Sequence, residues 1–285
     1  MRITIRLMLM LAVASTPAYA ANLFVPNQFS TIQAAVDAAS PGDRILVAAG
    51  VYEGALIAKR VKIIGEGDQT VITHGPNNQG GNTNFWFQNG FGINAGADGT
   101  IIRDLSIDLD AGLVSPPIGF ELIQVGIFAI SVDRVSVRGV KFIGLNTAVD
   151  FRFSNKWTVT QNTIEGLNAT LTRRAIGIRM VGSGSLVAFN TITHDGSSDD
   201  NSAKRYRGIE LLCFFCNIPV ENNKLIQNDI AIDVPEALEH SDIQLFDFAA
   251  SLGGAVELFN NKIIQNDADP IVFQPPELID HNVVE

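Results

Sequence analysis

Val159-Thr-Gln-Asn162-Thr-Ile164 is followed, 28 residues on, by Val187-Ala-Phe-Asn190-Thr-Ile192, and the same frame returns three more times. The later copies are Val220-Glu-Asn-Asn223-Lys-Leu225, Leu258-Phe-Asn-Asn261-Lys-Ile263 and Ile279-Asp-His-Asn282-Val-Val284. Each reads apolar, two variable positions, asparagine, one variable position, apolar. Two earlier segments keep the apolar anchors without the asparagine: Ile102-Arg-Asp-Leu105-Ser-Ile107 and Val137-Arg-Gly-Val140-Lys-Phe142. Successive starts lie 35, 22, 28, 33, 38 and 21 residues apart. The shortest spacings set a bare unit of two or three short strands, and the longer ones add an insertion. Such a unit is one coil of a parallel β-helix, a solenoid in which each repeat packs only on its neighbours. An asparagine fits a sharp turn between two strands, because it tolerates left-handed backbone. Its amide can also bond its counterpart one coil away, at the ~4.8 Å strand spacing. Asn162, Asn190, Asn223, Asn261 and Asn282 are therefore read as a structural ladder. A leucine-rich repeat would require a fixed leucine frame and a helix per unit, and neither is present.

Outward from the repeats, Ser30-Thr31-Ile32-Gln33 reads as a capping box, with Ser30 as the cap and Gln33 reaching back. Behind it Ile32, Ala35, Val36 and Ala39 share one helical face, and Pro41-Gly42 ends the pattern. The expectation is one short amphipathic helix over about 30–40 that covers the first coil. The first twenty residues read as a cleaved export signal: Arg2 and Arg6, an apolar run over 7–14, and Ala18-Tyr19-Ala20 at the cleavage site. That run is too short to span a bilayer, and no other stretch is longer. The expected mature chain, 21–285, is one all-β domain working in a secreted or periplasmic space. Of the 285 residues 46% are hydrophobic and the formal charge is −10, which excludes a disordered chain and argues against a nucleic-acid partner.

The opening Ser30-Thr-Ile-Gln-Ala-Ala-Val-Asp-Ala-Ala-Ser-Pro-Gly-Asp-Arg-Ile-Leu-Val-Ala-Ala-Gly-Val-Tyr52-Glu53, with Val61-Lys-Ile-Ile-Gly-Glu-Gly67, resembles the entry segment of secreted right-handed parallel β-helix proteins of the pectate-lyase-like superfamily. That resemblance implies a single-stranded right-handed β-helix with an N-terminal capping helix, and a polysaccharide as partner. It does not carry an enzyme family's motifs. Pectin methylesterases have a Gln-Asp dipeptide and an Arg-Pro-Trp run, both absent here, and Asp150-Phe151-Arg152-Phe153 echoes their aspartate strand only in outline. Polygalacturonases have Gly-His-Gly, also absent.

Position within the coil offers a second handle. With Val149, Phe151 and Phe153 inward, Asp150 and Arg152 face outward. With Ile176, Ile178 and Met180 inward, Gly177 and Arg179 face outward. Ile209 and Leu211 inward leave Glu210 outward, and Ile230 and Ile232 inward leave Asp233 outward. Asp150, Arg152, Arg179, Glu210 and Asp233 thus form an expected exposed column, with Arg152 and Arg179 at equivalent places. Close carboxylates suit acid–base work or a shared metal, and arginine suits a uronate or an oxyanion. An ion-paired solvated face is the other reading of the same residues. Insertions are read at 75–92, 111–122, 167–174, 195–207 and 236–254, and those at 167–174 and 195–207 are expected to wall this column.

Asp195, Asp199 and Asp200 sit in an oxygen-rich loop, as a Ca²⁺ site requires, without EF-hand spacing; a solvated loop is the alternative. Cys213 and Cys216 could bridge only across a tight turn, since an extended run would hold them ~10 Å apart. Two function classes remain. One is an exported lyase or hydrolase of an acidic polysaccharide, helped by Ca²⁺; the other is a non-catalytic carbohydrate-binding or surface-interaction module.

Overall fold

The computed structural model describes residues 19–75, 85–110, 121–169, 174–194, 205–213, 222–232, 239–247, 257–259, 262–264, 271–272, 278–280 and 283–284. Apolar residues spaced by two along short runs can all be buried only if each run packs one face inward, and here three such runs make one coil. The central coil consists of Thr147–Arg152, Thr158–Thr160 and Thr163–Glu165. The next is Ala175–Val181, Leu186–Ala188 and Thr191–His194, and each strand pairs in parallel with its predecessor. The first strands of successive coils build an eight-stranded sheet, and the second and third strands build a seventeen-stranded sheet folded along its length. This is a right-handed parallel β-helix.

Three columns of apolar side chains fill its interior. Val137, Val159, Val187 and Leu225 form one, Phe142, Ile164, Ile192 and Ile230 the second, and Ile127, Val149, Ile178, Ile209 and Ile243 the third, all 0–1% exposed. Each such side chain contributes about 1.5–3 kcal/mol relative to an exposed one. Trp157, in a turn, stacks on Phe151 with centroids 4.5 Å apart and donates its indole N–H to the Val132 carbonyl at 2.7 Å.

The fold in the larger sheet is held by stacked amides, in a register that corrects the sequence reading. Asn162 donates Nδ2–H to Oδ1 of Asn190 at 2.9 Å, and Asn190 donates to Oδ1 of Asn228 at 2.9 Å. Asn228, not Asn223, is the third member. Leu225 pairs with Val187 and Ile230 with Ile192, so the repeat runs Leu225-Ile-Gln-Asn228-Asp-Ile230. Asn223 stands at a different corner, where its Oδ1 accepts from the Ser185 N–H and its Nδ2–H goes to the Gly182 carbonyl. Asn261 and Asn282 lie outside the described residues. Nor does the asparagine itself supply the left-handed turn. The residue before it does: Gln161, Phe189 and Gln227 have φ of 57°, 57° and 50°, and Asp104 and Gly139 hold the same place in earlier coils. The asparagine instead closes the turn, since its Oδ1 accepts from the backbone N–H one coil earlier.

The N-terminal end carries a helix at Ile32–Ala38 whose Ile32, Ala35 and Val36 are buried against the first strands. Its cap is Thr31, whose hydroxyl accepts from the Ala34 N–H, rather than Ser30. Gln33 does not reach back to the cap. Its Oε1 accepts from the Leu56 N–H at 2.8 Å, and its Nε2 donates to the Leu56 carbonyl at 3.3 Å. A side-chain amide thus pairs with the first strand of the eight-stranded sheet, Leu56–Ile57, as a neighbouring strand would. No helix among the described residues is long and apolar enough to cross a membrane.

Candidate functional site

The strands of the eight-stranded sheet share a bend. Around it the pairing skips one residue in five successive strands, at Gly90, Gly126, Ala148, Gly177 and Gly208. A Cβ on Gly126 would lie 2.6 Å from the Ala148 carbonyl oxygen and 2.7 Å from the Phe142 ring, and one on Gly177 would lie 2.5 Å from the Gly208 oxygen and 3.1 Å from Ile192. Gly177 therefore faces the core, not solvent. Beyond the bend each strand presents an apolar–outward–apolar triplet: Ile127-Phe128-Ala129, Val149-Asp150-Phe151, Ile178-Arg179-Met180, Ile209-Glu210-Leu211. Backbone pairing aligns the middle residues in one outward column, Gly92, Phe128, Asp150, Arg179 and Glu210, and the backbone of Gln244 pairs next to Glu210.

Charges in this column alternate in sign, and side chains on either flank complete the pairing. Arg179 donates Nε–H to Glu210 Oε2 at 2.8 Å and Nη1–H to Asp150 Oδ2 at 3.3 Å. Arg152 forks onto Asp150, with Nε–Oδ1 at 2.9 Å and a second bond from Nη2 to Oδ2. Arg174 donates Nη1–H to Glu210 Oε1 at 2.8 Å. Among the described residues the chain of contacts runs Arg152, Asp150, Arg179, Glu210, Arg174: three cations on two anions, a surplus of +1. Burial divides the signs. Asp150 and Glu210 side chains are 2% and 0% exposed, whereas Arg152, Arg174 and Arg179 are 38%, 28% and 18% exposed. Burial works against the charge on Arg152. The hydrogen bonds and charge of Asp150, with Glu210 beyond it, outweigh that and hold its pKa above the ordinary arginine value. The same guanidinium lies 5.6 Å from the centroid of the Phe128 ring.

Four of the five expected column residues therefore come together, but not in the expected register. Arg152 pairs across the strands with Val181 and Ile130, so it does not stand one coil above Arg179; Asp150 does. The two arginines share a carboxylate between them. Phe153, expected inside, is 41% exposed with φ of 53°, because the strand ends at Arg152 and the chain turns there. Asp233 lies outside the described residues. The strand before it, Asp229–Ile232, pairs with Thr191–His194 in the larger sheet, and the backbone of Gln244 takes the next place in the register. Several expected insertions are in part strands of the column: Phe85–Ile93, Glu121–Ile130, Arg205–Cys213 and Glu239–Asp247. Asp195, Asp199, Asp200 and Cys216 lie outside the described residues, as does the Cys213 side chain. No cluster of three metal-binding side chains occurs among the described residues. Arg174 and Phe128 were missed by sequence reasoning. Phe128 was legible, since Ile127-Phe128-Ala129 repeats the triplet; Arg174 precedes its strand and carries no periodic signal.

No family model and no curated protein matches the chain. Solved structures do. The pectin methylesterase PemA of Erwinia chrysanthemi is 12% identical over 95% of this chain and 81% of its own, with a TM-score of 0.55. An alginate lyase of a Paenibacillus species is 14% identical over 93% and 95%, with a TM-score of 0.51. The fold is the pectate-lyase-like parallel β-helix. The catalytic domain of a GH87 α-1,3-glucanase in complex with nigerose is 17% identical over 95% of this chain, with a TM-score of 0.54, and this chain spans 45% of its length.

Proposed function

We propose that this chain is exported and binds an anionic polysaccharide along the outer face of the eight-stranded sheet, with Arg152, Arg179 and Arg174 meeting the polymer's charged groups. The observation that carries the reading is the division of burial within the charge network. The carboxylates are sequestered and each is held by two guanidinium groups, while the guanidinium groups reach solvent. An exposed cationic strip on a chain of formal charge −10 attracts anions locally even as the molecule as a whole repels them. The β-helix neighbours named above are a pectin methylesterase, an alginate lyase and an α-1,3-glucanase in complex with nigerose, which is consistent with a saccharide ligand. Asp150 and Glu210 serve as positioning residues in this reading. Their oxygens accept from arginines and are buried, so they orient the donors rather than touch the ligand.

Isothermal titration with a soluble polyuronate, at low and physiological ionic strength and with Ca²⁺ or a chelator, tests this. Binding should weaken as salt rises and should fall sharply in Arg152→Gln and Arg174→Gln, whose side chains are the more exposed. Binding that ignores both substitutions, or none with or without Ca²⁺, overturns the proposal. Unsaturated product or new reducing ends in the same mixtures would place the face in an enzyme rather than a binding module.

A further inference from the structure

The outward column changes character at Phe128. On its C-terminal side stand Asp150, Arg179 and Glu210. On its N-terminal side the next places are Gly92 and Leu56, which pair with each other. Gly92 has no side chain, and the position its Cβ would take lies 3.0 Å from Leu56 Cδ1, so Leu56 leans across the glycine toward Phe128. Two places along the same strand, Ile130 is 44% exposed, and its cross-strand partner is Arg152. Leu56 and Phe128 are both half-buried. An apolar strip of Leu56, Phe128 and Ile130 therefore abuts the most exposed arginine of the charge network. The Arg152 guanidinium lies over the Phe128 ring, 5.6 Å from its centroid, and the side-chain-free Gly92 is the cross-strand partner of Phe128.

We infer that this strip is a ring-binding subsite, and that the ligand residue bound there is a pyranose carrying a carboxylate. The C–H face of a sugar ring is apolar and suits a flat aromatic surface. A carboxylate on that ring, or on the next one along the polymer, meets Arg152, whose Nη1 makes no bond within the described residues. The inference rests on the binding face proposed above and assigns it a second component that does not depend on charge.

The two components separate experimentally with a polyuronate and its methyl-esterified form, which keeps the ring and loses the charge. With the wild-type full chain, the acid form should bind tightly and in a salt-dependent way, and the ester weakly and almost independently of salt. Phe128→Ala should weaken binding of both forms by about tenfold and leave the salt dependence unchanged. Phe128→Leu, which keeps apolar bulk without a flat ring, should weaken both forms to a lesser degree while retaining the wild-type melting temperature. Arg152→Gln should affect the acid form alone. If the arginine variants lose the acid form while Phe128→Ala and Phe128→Leu bind both forms as wild type does, the subsite is refuted and the charged face stands. If Arg152→Gln changes nothing, the face itself is refuted.

Discussion

Arg179 is the centre of the charge network, and its removal tests whether the network is one unit. Arg179→Met keeps the aliphatic bulk and deletes the guanidinium. Among the described residues Glu210 then retains only Arg174, and Asp150 only Arg152. Two charge-assisted hydrogen bonds are lost, each worth about 1.5–3 kcal/mol. The carboxylates stand on strands about 9.6 Å apart and reach toward each other, and without the intervening cation they repel by at least roughly 1.7 kcal/mol at an effective dielectric of 20. The 18% exposure of Arg179 lets water compensate in part. A net loss of about 3–4 kcal/mol follows, in the range for breaking a buried pair, and corresponds to a fall of roughly 8–12 °C in melting temperature. Arg152→Gln, at a side chain 38% exposed, should cost about 1 kcal/mol. Neutralising the partners as well, in the triple variant Asp150→Asn, Arg179→Met, Glu210→Gln, should recover most of the loss, because no uncompensated charge remains buried. Thermal unfolding followed by tryptophan fluorescence, to which Trp157 packed on Phe151 contributes beside Trp86, reads all three variants. A change under about 2 °C for Arg179→Met, or a triple variant less stable than the single one, would refute the argument.

Asn190 has both amide groups satisfied, accepting from the N–H and side chain of Asn162 and donating to the Val159 carbonyl and to Asn228. Asn190→Leu should cost about 3–5 kcal/mol in chemical denaturation, since buried turn amides are left unpaired. Gln33→Leu frees the backbone of Leu56 at the first strand of the eight-stranded sheet, so concentration-dependent association detected by light scattering should rise with little change in melting temperature. Gly126→Val places two methyl groups where a Cβ alone would already lie 2.6 Å from a carbonyl oxygen, and should lower the yield of folded protein or its melting temperature by more than 10 °C, on the order of 3–4 kcal/mol.

The interior of this solenoid was legible because each coil repeats one demand, an apolar side chain at a fixed place over the residue one coil earlier. That demand is insensitive to insertions between strands, so the Val159, Val187 and Leu258 frames were correct without any knowledge of the loops. It failed where two frames overlap. Val220 to Leu225 and Leu225 to Ile230 both read apolar, two variable, asparagine, variable, apolar, and they share Leu225. Spacing could not choose between starts at 220 and 225 when neighbouring coils already differ in length. The outer column shows the same limit. The triplets around Asp150, Arg179 and Glu210 were read correctly, because each charge sits between two core residues. Arg152 was misplaced because the strand was carried one residue too far, to Phe153, where the chain has already turned into left-handed backbone. A left-handed phenylalanine has no sequence signature, and neither does a cation such as Arg174 that enters from outside the strand.

The two polar systems of the fold obey different requirements, and the contrast bears on function. At the asparagine corner the buried groups are neutral amides, donors and acceptors match one for one, and no side chain carries net charge. That is an economical way to hold a turn, because an amide costs far less to bury than an ion. The outer face has ions instead. Stability alone does not call for them, since a buried ion pair is often no better than apolar side chains of equal volume. A network that only closed a surface would also be expected to balance its charges and bury both signs alike. Among the described residues this one holds a surplus cation, hides its carboxylates and leaves guanidinium groups at the surface beside an aromatic ring. Those three departures share a direction: each turns donors outward and keeps acceptors in. Such a face suits an anion from solvent, as proposed above, with the carboxylates orienting the donors.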